Sequence, residues 1–180
     1  MRRFITFLLM GICSFGTIQA QQQYQPVDEK SGVKFSIKNF GITTGGDFKG
    51  LEGEIEFDKA NPEKSVFKMS VDAAKVNTGN DSRDGHLRKE DYFDAAKFPK
   101  IAFKSEKVES KGGNFVTTGQ LTIKGISKTI SIPFKAEAKE DGYLFEGSFL
   151  LNRRDFGIGG NSMVLGDNVT VSLSVFAKKK

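Results

Sequence analysis

The sequence predicts an all-β fold, an extended eight-stranded antiparallel barrel carrying one short helical insertion. Three observations carry that expectation. Apolar residues recur at every second position through most of the 180-residue chain, the period of a strand with one buried face. Glycine, asparagine and aspartate cluster between the alternating runs, as tight turns require. One stretch alone, Thr78 to Pro99, drops the alternation for long enough to hold a helix, and it contains the only histidine, His86.

Met1 to Ala20 stands apart from this pattern. Arg2 and Arg3 precede an apolar run from Phe4 to Ile12, and Thr17-Ile18-Gln19-Ala20 ends it. That layout is a secretory signal peptide cleaved after Ala20, too short to span a bilayer as a helix. Cys13 offers a lipoprotein alternative, but Ile12 stands where a small residue is expected. Export places the mature protein in the periplasm or outside the cell. Loss of the leader removes the single cysteine, so neither a disulfide nor thiol chemistry is expected. It also lowers the formal charge from +5 to +3, an excess that Lys178-Lys179-Lys180 supplies and that reads as a solvated end. A nearly neutral body gives no case for nucleic acid binding.

Gln21 to Gln25 reads as a loose polar lead-in, with the barrel domain spanning 26–180. Val33, Phe35 and Ile37 then alternate with Lys34, Ser36 and Lys38. Gly41 to Gly46 suits a bend or bulge better than a straight ladder. Leu51, Gly53, Ile55 and Phe57 oppose Glu52, Glu54 and Glu56, and Asn61-Pro62 turns the chain. Phe67, Met69, Val71 and Ala73 form the next inward set. After the insertion come Ile101 and Phe103, a Lys111-Gly112-Gly113-Asn114 turn, Phe115, Leu121 and Ile123. Lys124-Gly125 connects to Ile130, Ile132 and Phe134, and Asp141-Gly142 signals a hairpin into Tyr143, Phe145, Phe149 and Leu151. Asn152 to Asn161 is a second polar break before the final run from Val169 to Ala177. The count is about eight or nine strands joined by short turns.

A sandwich and a barrel both fit such a chain. Long strands with sustained alternation favour the barrel. So do the phenylalanines: of 17 in the sequence, Phe4, Phe7 and Phe15 leave with the leader, and most of the rest fall on the inward set. Eight strands enclose either a filled core or room for one small ligand, and both readings stand at this point.

Little in the sequence does chemistry. One histidine and no mature cysteine give no metal-ligand spacing, and His86 has no serine on a nucleophile-type turn. Arg83 and His86, three apart, share a helical face, and Asp84 and Arg88, four apart, are spaced to pair. Asp81 and Asp84 sit near the helix start, where negative charge is favoured. These residues either fasten the insertion to the strand ends or form a polar rim at a pocket mouth. Asn152-Arg153-Arg154-Asp155-Phe156-Gly157 offers a second charge pair beside an aromatic, and reads as a structural lock.

These pieces together resemble the YceI-like family of secreted bacterial lipid- or polyisoprenoid-binding proteins. The matching residues are Val33-Lys34-Phe35-Ser36-Ile37-Lys38, Gly53-Glu54-Ile55-Glu56-Phe57-Asp58, Thr78 with Arg83-Asp84-Gly85-His86-Leu87, and Asp91-Tyr92-Phe93-Asp94. Phe98 to Ser105, Gly119 to Gly125, and Arg153 with Asp155-Phe156-Gly157 complete the order over nearly the whole mature chain. The chain departs at Lys30 and Asn39, where members often carry histidines. The resemblance implies a lipocalin-like barrel with a helical insertion, holding a long isoprenoid, quinone-like or fatty-acyl chain, and it implies no established enzymatic activity; no cofactor is expected.

The expected lining is Phe35, Ile37, Phe57, Phe67, Met69 and Val71 from the first half of the chain. Phe103, Leu121, Ile123, Phe134, Phe149 and Leu151 supply the second half. Arg83 and His86 stand at the polar end. The alternatives are an enzyme acting on a lipid or quinone with His86 as general base, and an interaction domain with a filled barrel. Pairing of two copies through an edge or the mouth stays open.

Overall fold

A computed structural model describes residues 22–180; the expected leader, with Cys13, lies outside the described residues. The strands are β1 (Gln23–Pro26), β2 (Gly32–Asn39), β3 (Ile42–Phe48), β4 (Glu52–Glu56), β5 (Val66–Asp72) and β6 (Val76–Asn77). Helix α1 (Asp81–Leu87) precedes β7 (Lys100–Lys111), β8 (Asn114–Ile123), β9 (Ile126–Lys139), β10 (Gly142–Asn152) and β11 (Leu165–Lys179).

The eleven strands form eight barrel staves. β1 and β2 lie end to end along β11, β4 and β3 end to end along them, and β5 and β6 along those. β7 to β11 are single continuous staves, every neighbour is antiparallel, and β11 pairs back onto β1 and β2 to close the ring. Closure leaves a barrel with no free sheet edge at that seam.

The tight turns fall where the sequence placed them. Gly112 and Gly113 (φ 58° and 80°) connect β7 to β8, and Lys124 and Gly125 (φ 51° and 74°) connect β8 to β9. Left-handed backbone at both central positions is the hairpin turn that matches strand twist.

Two local expectations are corrected. The lead-in is not loose: Tyr24 pairs with both Ile55 and Lys179 and is buried. Its partners are too distant in sequence to be read from a four-residue segment. The lysine tail keeps its three side chains exposed, as a solvated end, while its backbone continues the sheet, with Lys178 opposite Gln25 and the Lys180 N–H donating to the Gln23 carbonyl at 3.0 Å. Gly41 to Gly46 is no bulge; β3 runs in regular register with β2, and only Phe40-Gly41 turns. Gly46 is required because a Cβ there would lie 2.5 Å from the Asn77 carbonyl oxygen and 2.9 Å from the Phe35 ring.

The interior is solid at one end. Phe57 sits among Phe67, Phe115, Phe134, Tyr143 and Phe145, with centroids 5.2–6.3 Å away and mostly edge-on. That geometry suits the ring quadrupole and adds about 0.5–1.5 kcal/mol per pair to area burial. At the other end β10 leaves β9 after Gly147. Phe156 and Ile158, from the one-turn helix after β10 and the segment that follows it, fill the split against Leu121 and Ile123.

Among the described residues no helix is long and apolar enough to cross a membrane.

Candidate functional site: an apolar cavity with a polar rim

Above the aromatic floor the staves diverge around a cavity of about 650 Å³. Inward alternation delivers its wall: Phe35 and Ile37 from β2, Met69 and Val71 from β5, Phe103 from β7, and Leu121 and Ile123 from β8. Phe149 and Leu151 come from β10, and Val169, Val171 and Leu173 from β11. Phe67, Phe134 and Phe145 face both the cavity and the floor. The volume falls within the ~300–1,000 Å³ of ordinary small-molecule sites.

The opening is polar. Asn39, Thr44, Thr78, Asn80, Ser82, Arg83 and His86 border it, while Leu87, Tyr92 and Phe93 turn apolar surface inward beneath them. Helix α1 is fastened there by its own first turn. The Asn80 side chain accepts the Arg83 N–H at 2.9 Å, an N-cap. Buried Asp84 accepts the Thr78 N–H at 2.9 Å and the Thr78 hydroxyl at 2.5 Å. Arg83 donates from Nε to Thr78 Oγ1 and from Nη2 to the Thr78 carbonyl, both at 2.8 Å. Asp84 does not pair with Arg88, which instead donates to the Ala74 carbonyl at 2.7 Å. Fastening and rim are therefore one arrangement for Arg83. His86 takes no part in the fastening; its ring meets Tyr92 edge-on at 5.1 Å.

Of the expected lining residues the structure brings all but Phe57 to this cavity, with Arg83 and His86 at its rim. Phe57 is corrected to the floor, where neighbouring rings enclose it and leave it 3% exposed. The sequence reading missed Val169, Val171 and Leu173, although their alternation was visible. Arg153, read in the sequence as part of a structural lock, fills that role. The residue is 1% exposed and borders the cavity, and its guanidinium donates to the carbonyls of Ile158, Gly160, Leu165 and Gly166 and to Asp167. The partner acid is Asp167 rather than the adjacent Asp155. Among the described residues no three His, Cys, Asp or Glu side chains gather to hold a metal ion.

Comparison with known proteins agrees with the geometry. The family model described as the YceI-like domain matches residues 24–177. A UPF0312 protein of Pseudomonas aeruginosa is 30% identical over 185 residues, 97% of each chain. One from Pseudomonas savastanoi is 33% identical over 171 residues, 89% of each. Among solved structures, BcnA of Burkholderia cenocepacia superposes with a TM-score of 0.81 at 25% identity, covering 85% of this chain and 99% of that one. A polyisoprenoid binding domain from Saccharophagus degradans gives 0.69 at 16% identity, covering 87% and 98%; at that identity the likeness is one of fold.

Proposed function

This chain belongs to the YceI-like domain family, and from that premise we propose that it is an exported carrier or sequestering protein for one long-chain apolar molecule. The observation that carries the reading is the cavity: about 650 Å³ walled by aliphatic and phenyl side chains, ending in a polar rim. A hydrocarbon chain in it gains roughly 0.8 kcal/mol for each methylene removed from water. About ten methylenes offset an association cost at the lower end of the ~4–15 kcal/mol range, so affinity needs no directed polar contact. Specificity then follows from length and width, with the head left among Thr78, Asn80, Ser82 and Arg83.

An isoprenoid, quinone-like or fatty-acyl tail satisfies these demands, and a related fold is described as polyisoprenoid binding in Saccharophagus degradans. His86, whose ring meets Tyr92 edge-on, borders the head and is given no catalytic step. The basic and apolar leader supports action outside the cytoplasm. Solvent extraction of protein purified from its own host, followed by mass spectrometry, tests the reading. A carrier releases a stoichiometric long-chain compound; protein that is empty as isolated and takes up no such compound on incubation ends the proposal.

A further inference from the structure

The rim carries a feature the cavity does not need. Phe40 (73% exposed) and Ile42 (70%) stand on the hairpin between β2 and β3, and Met163, wholly exposed, and Val164 (40%) on the loop before β11. The Phe40 N–H donates to the Val164 carbonyl at 2.9 Å, so the two segments form one patch. Their neighbours Asn39 and Leu165 border the cavity, so the patch adjoins the mouth. Phe40 and Gly41 occupy a two-residue turn with φ of 50° and 76°. Both positions call for left-handed backbone, which Asn-Gly adopts readily and a bulky aromatic does not. Phe40 thus opposes the fold twice, by conformation and by exposure. A residue kept at such a local disadvantage points to a contact outside the fold.

We propose that this patch is a membrane-docking tip. Phe40, Ile42 and Met163 insert into the interfacial layer of a phospholipid bilayer and hold the mouth against the leaflet. An apolar chain then moves between bilayer and cavity without crossing water, a purpose that rests on the carrier reading. A second copy of the chain is the poorer occupant, since stable protein interfaces engage about 20–30 residues a side and this patch offers four. A bilayer needs only a few inserted apolar side chains for reversible attachment. Lys38, whose Nζ donates to Thr43 Oγ1 on the hairpin, and Arg83 across the rim meet headgroups, while Asp81 in the first turn of α1 and Asp155 in the one-turn helix after β10 offset them. Insertion rather than net charge therefore holds the protein, and salt weakens the attachment little.

Co-sedimentation with phosphatidylcholine vesicles, with and without phosphatidylglycerol, tests this on the purified protein. Wild type is expected in the pellet with both, at low and at 0.5 M salt. Phe40→Asn creates the Asn-Gly pair the turn prefers, so its melting temperature holds or rises while partitioning falls about tenfold or more; Met163→Ser also weakens binding. Uptake of a fluorescent fatty acid added from solution is unchanged in both. Wild type remaining in the supernatant, binding confined to anionic vesicles and abolished by salt, or Phe40→Asn partitioning as wild type overturns the proposal. A Phe40-dependent dimer without vesicle binding overturns it in favour of self-association. Docking by a protein that carries no long-chain compound as isolated and takes up none on incubation overturns the carrier reading alone.

Discussion

The carboxylate of Asp28 accepts the backbone N–H of Leu51 at 2.9 Å, and its other oxygen takes the N–H of neighbouring Gly50 at the same distance. Asp28 lies in the kink between β1 and β2, and Gly50-Leu51 lie in the kink between β3 and β4. One side chain thus satisfies the amides exposed where two adjacent staves bend together.

Asp28→Asn should cost about 1–3 kcal/mol, because an amide cannot accept both hydrogen bonds and one half-buried N–H loses its partner. Burial alone would raise the Asp28 pKa, but the Leu51 and Gly50 amides, with Lys49 and Lys75, outweigh it and hold the carboxyl below its ordinary value. A lowered folded pKa means the stabilisation is present above the ordinary aspartate value of ~3.9 and is lost as pH falls through the lowered one. Urea midpoints measured from pH 5 downwards should decline more steeply in wild type than in Asp28→Asn; parallel declines would contradict this role.

Hollow and solid ends of the barrel should respond oppositely to size. Phe134→Ala removes a ring packed at 5.4 Å against both Phe67 and Phe115, and should cost about 3–5 kcal/mol. Val171→Phe adds a ring facing the cavity and should change stability by less than about 1 kcal/mol, where overpacking a filled core costs about 1–3 kcal/mol. The same variant should lower the capacity for a bound chain, measured by extraction and mass spectrometry.

Arg153 ties the loop between β10 and β11 to the start of β11, through carbonyls at Ile158 and Gly160 in the loop and Leu165 and Gly166 in the strand. Arg153→Met should cost about 3–5 kcal/mol, since these carbonyls and Asp167 lose a buried cationic donor. Limited proteolysis should cut within 157–164 before any other site. Arg153→Lys should not rescue, because an ammonium lacks the planar fork that spans five acceptors.

Asp84→Ala should release helix α1, by about 1–3 kcal/mol of local stability, because the Thr78 N–H and hydroxyl lose their shared acceptor. Hydrogen exchange confined to Asp81–Leu87 and its flanks should accelerate, and dissociation of a fluorescent fatty acid should quicken at the loosened rim. Exchange that speeds uniformly through the barrel would show a global effect instead.

Alternation of apolar residues, the paired turn residues at Gly112-Gly113 and Lys124-Gly125, and the long interruption at Thr78–Pro99 by themselves determined an antiparallel all-β fold with one helical insertion, and favoured a barrel over a sandwich. They also determined which side chains face inward, because strand periodicity and turn conformation are local properties. Periodicity says nothing of the distance across the barrel, so only the tertiary structure decided that the rings around Phe57 close one end while Met69, Val71 and Val171 face open space at the other. Long-range pairing likewise decided that Tyr24 and Lys179 complete the ring, that Gly46 makes room for Phe35, and that Arg153 finds Asp167 instead of Asp155. Each of these depends on which distant segment lies alongside, and a residue's neighbours in the chain do not specify its neighbours across a sheet.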